Sequence, residues 1–249
     1  MTFEVTRQDG IAEISMNHPP VNAFEPQQLV ELGKLVTSVG DEASTRVLIL
    51  RSTSKGFCAG IDIKNLAVDP SSISSLNRAG FAAFESVHRC KAPVISAVHG
   101  FALGAGLALV GASDIVIAAE GARFGLPEIN VGMLGGASHA LRLLPLAKVR
   151  SMYYTGEPIL AEEMYRLGAA EKVVPLEELA ASAWELARQI STKGPKGLQF
   201  AKEAMNGIEP VNLELNYRFE QGYTYELSHL AEGLESRTAF NERRPPNYE

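Results

Sequence analysis

Val94-Ile95-Ser96-Ala97-Val98-His99-Gly100-Phe101-Ala102-Leu103-Gly104-Ala105-Gly106-Leu107-Ala108-Leu109-Val110-Gly111-Ala112-Ser113-Asp114-Ile115-Val116 is the stretch on which the reading of this chain turns. From Val94 to Ser113 it carries no Asp, Glu, Lys or Arg, a length that reaches across a bilayer. Gly100, Gly104, Gly106, Gly111 and His99 interrupt it, Lys91-Ala92-Pro93 precedes it and Asp114 follows it. These interruptions favour a buried strand over 94–98, a tight glycine turn, a buried helix over 104–111 and a strand over 114–118. Strand, helix and strand in that succession imply a mainly parallel sheet covered on both faces, since parallel strands need a crossover and the crossover helix lies against the sheet.

Toward the N-terminus the same rhythm continues. Phe3 to Gln8 and Ile11 to Met16 alternate around Asp9-Gly10, a two-residue hairpin signal. Pro26 opens a predicted helix over 26–39 with Leu29, Leu32, Val36 and Val39 on one face. Arg46 to Arg51 reads as a buried strand, and 71–90 as a helix with Phe81, Phe84 and Val87 inward. Beyond Phe124 the pattern becomes helical, with one short strand expected at 172–175 and amphipathic helices from Leu176 onward. The fold expected is α/β, with a main unit over 1–195 and a C-terminal helical region over 196–249 that reads as an appendage rather than a second core.

Composition narrows the function. The chain has 249 residues, 46% hydrophobic and 21% charged, within the range of a packed globular protein. Its net charge of −6 and lack of a basic stripe give a nucleic-acid partner no electrostatic support. Cys58 and Cys90 stand in unrelated contexts, so neither a disulfide framework nor a metal cluster is expected. Without the basic and apolar blocks of a signal peptide at its start, the chain is expected in the cytoplasm and not in a membrane.

Three segments carry candidate chemistry. Lys55-Gly56-Phe57-Cys58-Ala59-Gly60-Ile61-Asp62-Ile63-Lys64 follows one buried strand, and His99-Gly100-Phe101-Ala102-Leu103-Gly104-Ala105-Gly106 follows another and opens a helix. Small residues there let backbone N–H groups approach a ligand, and two such donors meeting on one carbonyl would form an oxyanion hole. Taken singly, each loop is equally a tight turn. Gly104-Ala105-Gly106 fails as a dinucleotide fingerprint because Leu109 stands at the third glycine position. In the third segment, Phe124-Gly125-Leu126-Pro127-Glu128-Ile129-Asn130-Val131-Gly132, an acid sits among apolar residues. Desolvation there suits a general acid/base; the alternative is an acid capping a helix that begins near Gly135.

In this order and spacing, the two loops and Phe124-Gly125-Leu126-Pro127-Glu128 resemble the crotonase (enoyl-CoA hydratase/isomerase) superfamily, and the resemblance runs through essentially the whole chain. Asn22-Ala23, Tyr154-Thr155-Gly156 with Ala161-Glu162-Glu163, and Glu232-Gly233 with Ala239-Phe240 also carry it. It implies a spiral of ββα units with C-terminal helices, assembled as a homotrimer or dimer of trimers. The implied substrate is an acyl-CoA thioester, with coenzyme A entering as part of the substrate and no other cofactor. The resemblance puts the oxyanion donors at the backbone N–H of Ile61 and Ala105, and a catalytic glutamate at Glu128. It further implies a substrate-binding strip of Ala59, Ile61, Asp62, Ile63, Lys64 and Ala105.

One departure bears on the reaction. Hydratases of the superfamily usually carry a first glutamate where this chain has Ala108. A single acid resembles instead the isomerases and some C–C hydrolases. Leu134-Gly135-Gly136-Ala137-Ser138-His139 and the run from Asn216 to Leu227 resemble in particular the β-diketone hydrolases of actinobacterial steroid-ring degradation. His139 is a candidate proton shuttle or carboxylate partner, against the reading of a packed histidine. Asp62 is a candidate second acid, against pairing with Lys64 or capping a short helix. Cys58 beside the loop is read as buried filler rather than a nucleophile.

Overall fold

The computed structural model describes residues 2–62 and 72–248. Strands β1 (Phe3–Gln8) and β2 (Ile11–Met16) form the expected hairpin, paired antiparallel from Phe3 with Met16 to Gln8 with Ile11. β4 (Val47–Ser52), β6 (Val94–Val98), β8 (Ile115–Ala119) and β11 (Lys172–Val174) complete a six-stranded sheet in the order β1-β2-β4-β6-β8-β11. All its pairs after the hairpin are parallel.

The apolar runs lack the polar alternation of a one-sided sheet because both faces are covered. Successive residues point to opposite sides, so Leu48 and Leu50 enter one buried cluster while Val47 and Ile49 enter the other. The larger cluster packs under α1 (Pro26–Asp41), α2 (Ile73–His88) and α3 (Ala105–Ala112). The smaller one is closed by α7 (Leu179–Ser191) through Leu179, Ala183 and Ala187.

Residues 94–113 resolve into β6, the short strand β7 (Phe101–Leu103) and α3. No helix among the described residues is long and apolar enough to cross a membrane. The segment after Phe124 departs from the helical expectation. It begins with β9 (Arg123–Gly125), which pairs with β7 and with β10 (Ile159–Leu160), and continues as a 3-10 turn at Pro127–Val131. The helix expected near Gly135 is α4 (Ala137–Ala140), only four residues long. β3 (Ala23–Phe24) and β5 (Gly60–Ile61) form a two-stranded parallel pair that the sequence reading left as loop. The remaining helices are α5 (Leu146–Thr155), α6 (Ala161–Arg166), α8 (Pro195–Ile208), α9 (Leu213–His229) and α10 (Ala231–Glu242).

Candidate active site

The two glycine loops are stitched directly to each other. Cys58 N–H donates to Phe101 O at 3.1 Å and Leu103 N–H donates to Cys58 O at 2.9 Å. A Cβ on Gly106 would overlap the Cys58 carbonyl oxygen, so only glycine lets α3 approach this closely. The Cβ position of Gly60 lies 3.1 Å from Leu103 O and 3.7 Å from Ala105 N. The residue before Ile61 therefore touches the start of α3.

Backbone direction follows from the pairing. Asp62 N–H donates to Phe24 O at 3.0 Å, and successive amides of an extended strand point to opposite sides. The Ile61 N–H is thus turned away from β3 toward the α3 side. Ala105 is the first residue of α3, where the N–H has no acceptor within the helix. Both residues line one cavity of about 830 Å³, together with Ala59, Gly60, Asp62, Gly104 and Glu128.

The first loop is held from below by Asn22, which is fully buried. Its side chain donates to Ser52 Oγ at 2.8 Å and Phe57 O at 2.9 Å, and accepts from His18 N–H at 2.6 Å. His99 Nε2 donates to Ser54 O at 2.9 Å, which makes that ring a loop fastener.

Glu128 enters the cavity from the 3-10 turn, behind the buried Phe124 and Leu126. Its Oε1 rests against the second loop: a Cβ on Gly104 would lie 2.8 Å from it. Its Oε2 is shielded from solvent and has no hydrogen-bond partner among the described residues. Burial pushes the carboxyl up to about 8, its own backbone N–H pulls it partly back, and the charge of Glu220 adds to the rise. At neutral pH this favours the protonated form of Glu128.

The α4 cap belongs to another acid. Ala137 N–H and Ser138 N–H donate to Glu220 at 2.9 and 3.3 Å, so the capping alternative for Glu128 is replaced by a group 83 residues downstream of Ala137. Glu220 is the buried acid of this region that sequence reasoning missed; it lies unmarked within the run from Asn216 to Leu227.

Of the other candidates, Asp62 lines the cavity, whereas Ile63 and Lys64 lie outside the described residues. His139 requires correction as a proton shuttle. It is 1% exposed, packed edge-on between Phe84 and Tyr217 at 5.1 and 4.7 Å, and is not part of the cavity wall among the described residues. Burial lowers its pKa to about 3, with Arg142 adding to the fall, so the ring is neutral. Cys58 is fully buried and its thiol is pushed up to about 12, leaving no thiolate for attack. Ala108 places a buried methyl one turn into α3. No group of three or more His, Cys, Asp or Glu among the described residues is placed to hold a metal ion.

Comparison with known proteins gives the family. Residues 6–249 match the family described as enoyl-CoA hydratase/isomerase. The chain is 40% identical over 243 residues to a Rhodococcus jostii protein named (7aS)-7a-methyl-1,5-dioxo-2,3,5,6,7,7a-hexahydro-1H-indene-carboxyl-CoA hydrolase, covering 97% of this chain and 94% of that one. It is 39% identical to the Mycobacterium tuberculosis protein of the same name, covering 94% of this chain and 96% of that one. A crystal structure of enoyl-CoA hydratase from Bacillus anthracis superposes with a TM-score of 0.79 at 33% identity, covering 100% of this chain and 99% of the other.

Proposed function

The chain belongs to the enoyl-CoA hydratase/isomerase family, and on that premise we propose that it hydrolyses a carbon–carbon bond in a cyclic β-keto acyl-CoA thioester. The observation carrying the proposal is a single desolvated carboxyl group, Glu128, set against the start of α3, with a methyl at Ala108 where the resemblance puts a second acid. Addition of water to an enoyl thioester is usually shared between two carboxylates. A retro-Claisen opening needs one group that first accepts a proton and then returns it.

The thioester oxygen accepts hydrogen bonds from the Ile61 and Ala105 amides. Ionised Glu128 takes a proton from water as the water oxygen bonds to the ring ketone carbon. The ring C–C bond then breaks, and its electron pair passes to the carbon α to the thioester. The resulting enolate is stabilised at its oxygen by the two amides, where each donor contributes about 3–4 kcal/mol in comparable sites. Glu128 returns the proton to that carbon, and the ring ketone leaves as a carboxylic acid. One water is consumed, coenzyme A stays attached, and Glu128 is restored. The hydrolase names of the two relatives at about 40% identity support this reading.

A lone carboxyl also fits double-bond migration, so the test separates the products. CoA thioesters of simple enoyl, 3-enoyl and cyclic β-keto acids are incubated with the parent chain and with Glu128→Gln, and the products weighed by mass spectrometry. The expected product is an opened ring heavier by one water and still bound to CoA, with Glu128→Gln slower by about 10²–10⁴-fold. Hydration without ring opening, an isomer of unchanged mass, or release of free CoA would each point to a different reaction.

We place α8 to α10 in the roles of assembly and cover. α10 and the residue after it bring Phe240, Asn241 and Arg243 to the cavity rim. Phe200, Ile208, Leu215 and Phe219 stand exposed on the other C-terminal helices, in keeping with a homotrimer or a pair of trimers.

A further inference from the structure

Behind the Glu128 turn lies a second buried carboxyl that the proposed steps do not touch. Glu220 on α9 is 8% exposed, and among the described residues it forms no ion pair. Its Oε1 accepts from Ala137 N–H at 2.9 Å and from the Tyr153 hydroxyl at 2.8 Å. Its Oε2 accepts from Ser138 N–H at 3.3 Å and from the Ser138 hydroxyl at 3.0 Å. Two of these partners are backbone amides, which can only donate, and one falls on each oxygen. Burial raises the proton affinity of Glu220 and these four donors pull it partly back; with an amide on each oxygen, the cradle is shaped for the ionised carboxylate, an acceptor at both atoms.

One turn along α9, the Thr224 hydroxyl donates to Leu134 O, so α9 grips residues 134–138 at both ends. That segment forms the wall beside the catalytic candidate. A Cβ on Gly135 or on Gly136 would lie 3.9 Å from Glu128 Oε1.

We infer that Glu220 is a positioning residue for Glu128: its carboxylate fastens the glycine turn of residues 134–138 against the Glu128 side chain. The titratable groups facing this pair are Tyr153 from α5, Tyr217 one turn back on α9 and the neutral His139 from α4. Both tyrosine hydroxyls are raised by burial first and by the Glu220 charge second, so both stay neutral and neither adds a further negative charge. The charge of Glu220 also contributes to the raised proton affinity of Glu128.

The inference rests on the proposed role of Glu128, and a titration without substrate separates the two. Glutamate labelled with ¹³C at the carboxyl carbon is followed by NMR against pH in the parent chain, Glu220→Gln and Ser138→Ala. In the parent chain, Glu220 ionises at lower pH than Glu128. In Glu220→Gln, the Glu128 midpoint falls below the parent value of about 8, while the burial that raises it most remains. In Ser138→Ala, which removes one hydroxyl and keeps the charge, it stays near the parent value. A Glu220 still protonated when Glu128 ionises overturns the inference, and this arm needs no variant to fold. So does a Glu128 midpoint that is unmoved in Glu220→Gln, or that falls equally in both variants. The pH profile of kcat/KM is read alongside. If the NMR midpoint moves and the kinetic one does not, the fault lies with Glu128 as acid/base and not with its coupling to Glu220.

Discussion

A carboxyl oxygen closed to solvent and without a donor is costly to charge, and among the described residues Glu128 Oε2 is such an atom. The folded chain holds this proton more tightly than the unfolded chain, with a carboxyl near 8 instead of 4.5. Between those values the folded state binds more protons, so stability falls as pH rises through the window and levels off above it. Replacing Glu128 by Gln removes that loss. Thermal unfolding is expected to show Glu128→Gln matching the parent chain below pH 4.5 and exceeding it by up to a few kcal/mol above pH 8. Activity follows the opposite protonation state, because only the ionised group can take a proton from water. The kcat/KM of the parent chain is expected to rise about tenfold per pH unit below 8 and to flatten above it, as the free enzyme sheds its proton. A flat profile across that range would show that Glu128 is not the base. Glu128 was legible in the sequence because Pro and apolar neighbours forecast its desolvation. Glu220 was not, since its importance comes from donors more than eighty positions away on α4.

The elements divide in the same way. β1, β2 and α1 were readable from the period of their apolar residues, and β6, α3 and β11 from continuous apolar runs bounded by turn residues or charges. β3, β5, β7, β9 and β10 are two or three residues long, and what holds them extended is pairing with distant chain. These short strands aim the two site amides, so the finest part of the site was the least legible locally. α9 defeats periodicity for another reason. It buries Glu220, Gln221, Thr224 and Ser228 while exposing Leu215, Phe219 and Tyr223, the reverse of an ordinary surface helix. The stitch between the loops gives an element-scale prediction. Gly106→Val would drive branched carbons into the Cys58 carbonyl and push α3 off the first loop. Its expected effects are a lowered melting temperature and a loss of about 10²-fold or more in kcat as one amide leaves the oxyanion position. A fully active Gly106→Val enzyme would contradict the close approach.

Across the whole molecule, the parallel sheet brings together three segments more than sixty residues apart from first to last: residues 59–62, 104–105 and 128. The doubly covered architecture was evident from the uncharged run and its flanking strands. The identity of the acyl group was not, since the side-chain directions of the helical region from Leu66 to Arg89 and of the C-terminal helices carry no local signal in the sequence. The unpartnered apolar residues on α8 and α9 predict assembly. Light scattering is expected to give three or six times the 26.8 kDa chain mass, and Phe219→Glu with Leu215→Glu is expected to lower it. A parent chain that stays monomeric at all concentrations would rule out the assembly. The account depends most on two amides and one carboxyl sharing a single substrate atom's surroundings. A crystal structure of Glu128→Gln soaked with a cyclic β-keto acyl-CoA tests this directly. The thioester oxygen is predicted about 2.7–3.1 Å from both Ile61 N and Ala105 N, with the residue 128 side chain beside the α carbon. A thioester oxygen bonded to neither nitrogen would contradict it.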